Sequence, residues 1–246
     1  MTELTGKVAL VTGGGRGIGA AIALRLAQDG MDVAITYAHA AEEAEAVARR
    51  IETGGGRALV IEADFADPDA AVAAVERTAR EWGRIDVLVN NAAAFVAAEL
   101  GQITPQEVDR VLAVNVRSVF LACQAAARHM GADGRLINVG TCVTERVPGP
   151  GMTLFAMSKS ALAGLTKGLA RDLGPRGITA VLVHPGPIDT HANPAGGPQA
   201  AGFSGATALG RYGAVDDIAS TVAHLAGEGG RYITGSAISV DGGFAA

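Results

Sequence analysis

The chain has 246 residues, of which 49% are hydrophobic and 18% are charged, and its formal net charge is -5 at pH 7. This length accommodates one large α/β domain with a full core, and the composition differs from that of disordered chains. The acidic balance, without any cluster of Lys or Arg, provides no basic surface for nucleic acid. We therefore expect a single folded domain over residues 1–246 that does not bind nucleic acid.

The amino-terminal segment lacks a basic start followed by a long apolar run, and no uninterrupted apolar stretch approaches the roughly 20 residues of a membrane-spanning helix. We expect a cytoplasmic protein without a membrane partner. The cysteines, Cys123 and Cys142, lie inside predicted elements with no spacing typical of a zinc site or a disulfide framework. We expect two free thiols and no bound metal.

Short runs rich in branched apolar residues recur along the chain, and segments with helical periodicity follow them. Strands that alternate with helices are typical of βαβ units, whose parallel strands are buried on both faces. The sequence therefore predicts a doubly wound α/β (Rossmann) fold with a parallel sheet of about seven strands. The predicted strands cover residues 7–12, 32–37, 57–63, 84–90, 134–140, 177–185 and 236–243.

Capping and helix-ending residues mark several predicted helices. The first helix ends before Gly30. The helix before Gly83 is predicted to have Asp67 as its cap and Pro68 in its first turn, and Gly83 lies beyond its end. A long alanine-rich helix is predicted from Gln106 to Met130.

The glycine-rich turn after the first predicted strand has the spacing G-x-x-x-G-x-G and opens a helix. A turn without side chains lets backbone N–H groups and the helix N-terminus approach a pyrophosphate closely. No Lys-Ser/Thr pair follows, as a phosphate-binding NTPase would require. The turn predicts a dinucleotide-binding site, the alternative being a tight turn without a ligand. The residues concerned are Gly13, Arg16, Gly17, Ile18 and Gly19.

The end of the second predicted strand, ITYAHA, has no carboxylate to bind a ribose 2′-hydroxyl or to repel a 2′-phosphate. Arg16, Tyr37 and His39 are each able to contact such a phosphate, with Ala38 between the last two. These residues favour NADP(H) over NAD(H) as the cofactor. For His39 alone, an exposed loop histidine is the alternative interpretation.

Residues 185–213 are rich in Gly, Pro and Ala and have weak periodicity. The segment follows the carboxyl end of a predicted strand, where open α/β sheets bind ligands. Long loops in compact domains are usually functional or mobile. We therefore interpret residues 187–212 as a substrate lid, the alternative being a surface insertion.

Several motifs, in order and spacing across nearly the whole chain, resemble those of the short-chain dehydrogenase/reductase family. Within that family the chain is most similar to the bacterial ketoreductases that include the 3-oxoacyl-carrier-protein reductases. The matching features are TGGGRGIG (12–19), Asp64 after the third strand, NNAA (90–93), Asn115 in AVNVRSVF, SKSA with Lys159, HPGPIDT (184–190) and the C-terminal ITGSAISVDGG.

The resemblance implies a cofactor role for residues after the third, fourth and sixth strands. Asp64 would hold the adenine, and its alternative role is a strand-end cap. In the motif after the fourth strand, Ala93 replaces the glycine that is usual in the family. Ile188 and Thr190 would contact the nicotinamide amide. The residues that the resemblance assigns to the cofactor are Asp64, Phe65, Asn91, Ala92, Lys159, Pro185, Gly186, Ile188 and Thr190.

The family's catalytic set is Asn, Ser, Tyr and Lys, in which the tyrosine donates a proton to the carbonyl oxygen as hydride arrives. Asn115 and Lys159 match this set, although a buried amide bonded to backbone is the alternative role of Asn115. The tyrosine position, four residues before the lysine, is Phe155, which has no ionisable group and cannot be the general acid. The serine position aligns with Thr141, and Cys142 is the next candidate there.

The resemblance implies an NADP(H)-dependent oxidoreductase of the carbonyl reductase type, with an altered catalytic set and a small-molecule carbonyl or imine substrate. General acid catalysis contributes about 10²- to 10⁴-fold, so the chain would be a weakened ketoreductase or would reduce C=N bonds, since an iminium already carries its proton. The alternatives are an inactive NADP(H)-binding protein and non-redox chemistry in the same pocket. The resemblance also implies a homotetramer.

Overall fold

The computed structural model describes residues 4–246, and its seven strands form one parallel sheet in the order β3-β2-β1-β4-β5-β6-β7. Each strand lies within one of the seven predicted segments, which confirms the doubly wound α/β prediction. The strands are β1 (Val8–Val11), β2 (Asp32–Tyr37), β3 (Ala58–Glu62), β4 (Val87–Asn90), β5 (Arg135–Val139), β6 (Thr179–Pro185) and β7 (Ser236–Val240).

Helices connect these strands and cover both faces of the sheet. They are α1 (Gly17–Gln28), α2 (Ala41–Thr53), α3 (Ala70–Trp82), α4 (Pro105–Leu112), α5 (Ser118–His129), α6 (Thr153–Leu173), α7 (Ala200–Ala206) and α8 (Val215–Ala226). The two faces bury separate hydrophobic cores: Ala9 and Val11 of β1 pack with α1, α2 and α8, while Leu10 packs with α3, α5 and α6. Alternate side chains of one strand therefore enter opposite cores, which explains the continuous apolar runs in the sequence.

The start of α3 differs from the prediction. The helix begins at Ala70, three residues after Asp67, and Asp69 is the residue before its first turn. Asp67 Oδ1 accepts a hydrogen bond from Asp69 N at 3.0 Å, so its carboxylate closes a local turn instead of capping the helix. The predicted end is correct, because Gly83 follows the helix with a left-handed φ of 76°.

The predicted helix over 106–130 is present but contains a wide turn. A Thr104–Glu107 capping box begins α4, and a π-helical turn at Ala113–Arg117 joins α4 to α5. By length and composition the 25-residue stretch Pro105–His129 would suffice to cross a membrane, yet 61% of its apolar window is buried within the fold. This burial is typical of a core helix packed on a sheet.

The sheet creates a crevice where its winding reverses. β1 pairs with β2 on one side and with β4 on the other, so the chain leaves the centre of the sheet in both directions. Such a switch point separates the loops at the carboxyl ends of the strands and is the usual ligand site of an open α/β sheet. The glycine-rich turn follows β1 at this point.

The segment 187–212 is more ordered than its composition indicates, since it contains α7. Phe203 of this helix lies with its ring centroid 6.4 Å from that of Tyr212 and 6.4 Å from that of Phe244. The Tyr212 hydroxyl donates to Asn193 Oδ1 at 3.2 Å. One aromatic side chain thus attaches a weakly periodic segment to the rest of the fold, which periodicity alone did not reveal.

Candidate active site

A cavity of about 780 Å³ lies at the switch point of the sheet. Most of the predicted cofactor residues line it together, although they come from the ends of five different strands. The predicted residues in its lining are Gly13, Arg16, Gly17, Ile18, Gly19, Tyr37, Ala38, His39, Asp64, Phe65, Asn91, Ala92 and Thr190.

The glycine-rich turn is a cradle of backbone atoms. Gly13 and Gly17 have positive φ values of 64° and 55°, a conformation that side chains disfavour. A Cβ added at Gly19 would lie 2.3 Å from Gly13 O, so a side chain there does not fit. The Asn91 amide fixes the turn by donating to Thr12 O at 3.0 Å and to Gly13 O at 3.1 Å. Together with the N-terminus of α1, this cradle fits a pyrophosphate.

The other end of the cavity is polar and of mixed charge. Arg16 and His39 are exposed there, beside the end of β2. Asp64 lines the cavity, but its Oδ1 also accepts from Ala66 N at 3.0 Å, so the strand-end cap is formed as well. Glu43 of α2 lines the same cavity, and the sequence prediction missed it because only the strand end was considered.

The Asn115 side chain is completely buried in the π-helical turn. Its Oδ1 accepts from Ala94 N at 2.8 Å, and its Nδ2 donates to Ala94 O and to Ser158 Oγ, both at 2.9 Å. The amide is therefore a structural link between the loop after β4 and α6, as in the alternative interpretation of this residue. Ser158, adjacent to Lys159, was not anticipated from the sequence.

Lys159 is buried in α6 with only 3% of its surface exposed. Its Nζ donates to Val139 O at 2.8 Å, at the end of β5. Within residues 4–246 none of the ion pairs includes this ammonium group. Burial lowers the pKa of Lys159 to about 8, because desolvation disfavours the charged form.

Phe155 is half-buried one helical turn before Lys159. Its ring contacts that of Phe95 edge to face, with centroids 4.9 Å apart. Phe95 is 56% exposed and lines the cavity, so the aromatic pair reaches from α6 to the cavity wall. Phe95 lies two residues after the fourth-strand motif NNAA (90–93), and that position is the signal that would have identified it.

Thr141 and Cys142 follow β5. Thr141 Oγ accepts from Val143 N at 3.3 Å, and Thr144 Oγ donates to Thr141 O at 2.9 Å. Burial, followed by the charge of Asp241, raises the pKa of the Cys142 thiol to about 12. This thiol stays protonated at neutral pH, so its environment opposes a nucleophilic role. Both cysteines are free, as expected from the sequence.

Some predicted residues lie outside the lining of the cavity. Pro185 ends β6 and pairs with Val240, Gly186 N donates to Val240 O at 3.0 Å, and Ile188 is 4% exposed in the core. The residues that line the cavity also do not include Asn115, Thr141, Phe155 and Lys159. Of the motif at 184–190, only Thr190 reaches the cavity wall.

Comparisons with known proteins agree with this arrangement. A family model described as enoyl-(acyl carrier protein) reductase matches residues 13–245. A short-chain dehydrogenase from Burkholderia cenocepacia, crystallised with NADP, is 54% identical and superposes with a TM-score of 0.98 over 99% of this chain and 100% of its own.

Two curated relatives have different names. The cyclic-di-GMP-binding biofilm dispersal mediator protein of Escherichia coli is 42% identical over 100% of both chains. A 3-oxoacyl-[acyl-carrier-protein] reductase of Staphylococcus aureus is 40% identical over 96% of this chain and 97% of its own. The family match, the coverage and the fold lead to one conclusion: the chain belongs to the short-chain dehydrogenase/reductase family.

Proposed function

We propose that the protein is an NADP(H)-dependent reductase of the carbonyl reductase type that works without a tyrosine acid. The observation that carries the proposal is the combination of an intact phosphate cradle with a buried lysine one turn after Phe155. The cradle serves cofactor binding, whereas the substitution at Phe155 affects only proton delivery. The family's cofactor half is therefore retained and its catalytic half is changed.

The residues present fit NADP(H). The turn at Gly13, Gly17 and Gly19 leaves space that any Cβ would reduce, and backbone amides there suit the pyrophosphate. Arg16 and His39 would hold the 2′-phosphate against the opposing charge of Glu43. When bound, NADPH supplies the hydride.

Proton delivery is the step in which this chain departs from the family. Phe155 offers no proton, so the ammonium of Lys159, or a water bound to it, is the proton source for a carbonyl oxygen. With its pKa lowered to about 8, this group is mostly protonated at neutral pH and loses its proton more readily than an ordinary lysine. Ketone reduction should therefore be slow and should decline as the pH rises through about 8.

Reduction of a permanently charged C=N substrate should depend on pH in the opposite direction. An N-alkylated iminium needs no proton at any pH, and a positive Lys159 would repel it. Its reduction should hold or increase as the pH rises through about 8, where the lysine becomes neutral. The direction of the pH dependence thus separates the two substrate classes.

The experiment is NADPH oxidation against paired panels of ketones and of cyclic imines that include N-alkylated iminium ions, from pH 6 to 10, for the wild type and Phe155→Tyr. If the tyrosine variant gains strongly on ketones, the protein is a ketoreductase with its acid removed. If the wild type reduces imines and the variant does not gain, Phe155 belongs to imine chemistry. The matched control is Tyr232→Phe, which changes one phenolic hydroxyl at a side chain that is 94% exposed. Absence of NADPH oxidation with every substrate would refute the proposal.

A second candidate is nucleotide binding without turnover. It is favoured by the relative named as cyclic-di-GMP-binding, which matches this chain over its full length, and by the loss of the tyrosine. Cyclic di-GMP and NADP(H) both contain two nucleosides and carry phosphate groups, as two separate phosphodiesters in cyclic di-GMP and as a pyrophosphate in NADP(H), so we expect them to compete for the same glycine cradle. Calorimetric titration of cyclic di-GMP, with and without saturating NADP⁺, tests this: binding that NADP⁺ abolishes supports it, and the absence of binding excludes it.

We also propose that residues 187–212 form a substrate lid and that the protein is a cytoplasmic homotetramer, as its resemblance to ketoreductases implies. Phe120 of α5 and Met157 of α6 are 49% and 51% exposed, and both are apolar. These helices are the ones that the resemblance would pair across subunits.

A further inference from the structure

His184 joins the two strands that end behind the candidate site. It is the penultimate residue of β6 and is 2% exposed. Its Nδ1 accepts a hydrogen bond from Thr141 N at 3.1 Å, just after β5. Because Nδ1 accepts, the neutral ring must carry its proton on Nε2.

The imidazole fits closely against the backbone at this point. A Cβ added at Gly140 would lie 2.6 Å from His184 Nδ1, so only a glycine leaves room for the ring. Gly140 N in turn donates to Val183 O at 2.7 Å. The ring is therefore held between the ends of β5 and β6 with its acceptor nitrogen facing the Thr141 amide.

The Thr141 amide belongs to the residue at the family's serine position. Thr141 Oγ accepts from Val143 N, and Thr141 O accepts from Thr144 Oγ. The Thr141 main chain is thus bonded on both sides, and His184 supplies the bond to its N–H. The direction of the Thr141 hydroxyl depends on this main-chain geometry, since χ1 of threonine is stiff.

We propose that His184 is a positioning residue, whose unprotonated Nδ1 orients Thr141 toward the substrate and whose protonation releases it. The proposal rests on the proposed function, because Thr141 must polarise the substrate for its orientation to matter. When Nδ1 gains a proton, two N–H donors face each other and the hydrogen bond is lost. The site then loses its ordered hydroxyl while the cofactor cradle stays intact.

The charges around His184 come from three other elements. Glu145 lies in the loop after β5, with its Oε1 3.9 Å from His184 Nε2, Asp241 follows β7, and Lys159 lies on α6. Burial lowers the pKa of His184, and Lys159 lowers it further, whereas Glu145 and Asp241 raise it. The net direction is downward, so the ring is neutral at pH 7 and gains its proton only as the solution becomes acidic.

The experiment compares His184→Asn with His184→Leu. Asparagine places Oδ1 close to the position of Nδ1 and accepts the same bond but does not titrate, whereas leucine removes the acceptor. The first readout is ¹⁵N NMR of the cofactor-free protein from pH 5 to 8, which reports the protonation of His184 Nδ1 and the exchange rate of the Thr141 amide. The second readout is the pH profile of kcat on the best substrate found.

We expect the Thr141 amide to lose protection in the wild type at the same midpoint at which kcat declines on the acid side. His184→Asn should keep the amide protected, retain most of kcat and lose the acid decline. His184→Leu should lower kcat about tenfold, the equivalent of one ordinary hydrogen bond, and leave the NADPH affinity unchanged. The control is His129→Asn on α5, where His129 pairs with Glu76, and its pH profile should match the wild type.

Three results would overturn the inference: a protonated Nδ1 at pH 7, equal effects of the Asn and Leu variants, or an acid decline that persists in His184→Asn. Failure of the proposed function looks different. In that case no substrate is turned over, while the NMR measurements still decide whether His184 holds the Thr141 amide.

Discussion

The Phe95 and Phe155 rings meet edge to face, with their centroids 4.9 Å apart and their planes at 80°. Aromatic pairs with this geometry are worth about 0.5–1.5 kcal/mol beyond the area that they bury. A double-mutant cycle with Phe95→Leu and Phe155→Leu should therefore give a coupling free energy of unfolding in that range. Chemical denaturation of the four proteins measures it, and additive effects of the two substitutions would contradict a direct contact.

Lys159 makes the stability depend on pH. Its folded pKa of about 8 lies below the ordinary 10.5, so between these values the unfolded chain binds more protons than the folded one. The contribution of Lys159 to the free energy of unfolding therefore increases with pH across that window. Below about pH 8 the lysine is charged in both states, and the full free-energy cost of burying its charge is present.

The matched comparison is Lys159→Met, which keeps the side-chain length and removes the titration. Relative to this variant, the wild type should gain about 3 kcal/mol in free energy of unfolding between pH 7 and the upper end of the window. Denaturant titrations at several pH values measure the difference, and parallel curves for the two proteins would show that the lysine is not desolvated.

Gly19 has no room for a side chain. A Cβ there would lie 2.3 Å from Gly13 O and 2.5 Å from Asn91 Nδ2, so Gly19→Ala must move the turn. We expect the NADPH affinity to fall at least about tenfold, which is the loss of one hydrogen bond or more to the phosphates. The fluorescence of bound NADPH measures it.

The control for Gly19→Ala is Gly164→Ala in α6, where no atom lies within 4 Å of the added Cβ. This substitution should leave the affinity unchanged and raise the stability by about 1 kcal/mol through helix propensity. Equal NADPH affinity in both variants would exclude the cradle as the phosphate site.

Phe120 tests the assembly. A charge on the exposed apolar face of α5 would be desolvated in any interface formed by that helix, so Phe120→Glu should dissociate the proposed tetramer. Analytical ultracentrifugation should give four times the 24.7 kDa chain mass for the wild type and a smaller mass for the variant. Arg49→Glu on α2 provides the control, and an unchanged mass for Phe120→Glu would place the interface elsewhere.

The sequence was most informative where one residue type has one physical role. Continuous apolar runs located all seven strands, and the glycines at 13, 17 and 19 located the turn that lines the cavity. Both patterns are local. A strand buried on both faces needs an apolar residue at each of its positions, and a tight turn needs a glycine at particular positions.

Contacts between distant segments were not predictable in the same way. Phe95 reaches Phe155 across sixty residues of sequence, and His184 reaches Thr141 from the neighbouring strand. No periodicity encodes such a pair, since only the packing of the sheet brings the two positions together. The Asp67 cap failed for a related reason: its carboxylate had a competing partner two residues away.

The π-helical turn at Ala113–Arg117 also constrains how this segment can evolve. It accommodates one residue more than a regular α-helix would, so the side chains on either side of it keep the orientation of one continuous helix. A one-residue deletion within the turn should therefore leave a regular helix in which Val119, Ala122 and Cys123 still face the core that they fill. The insertion of one further residue would instead turn every later side chain of α5 by about 100° around the helix axis. Relatives should therefore accept the loss of one residue in this stretch more readily than the gain of one.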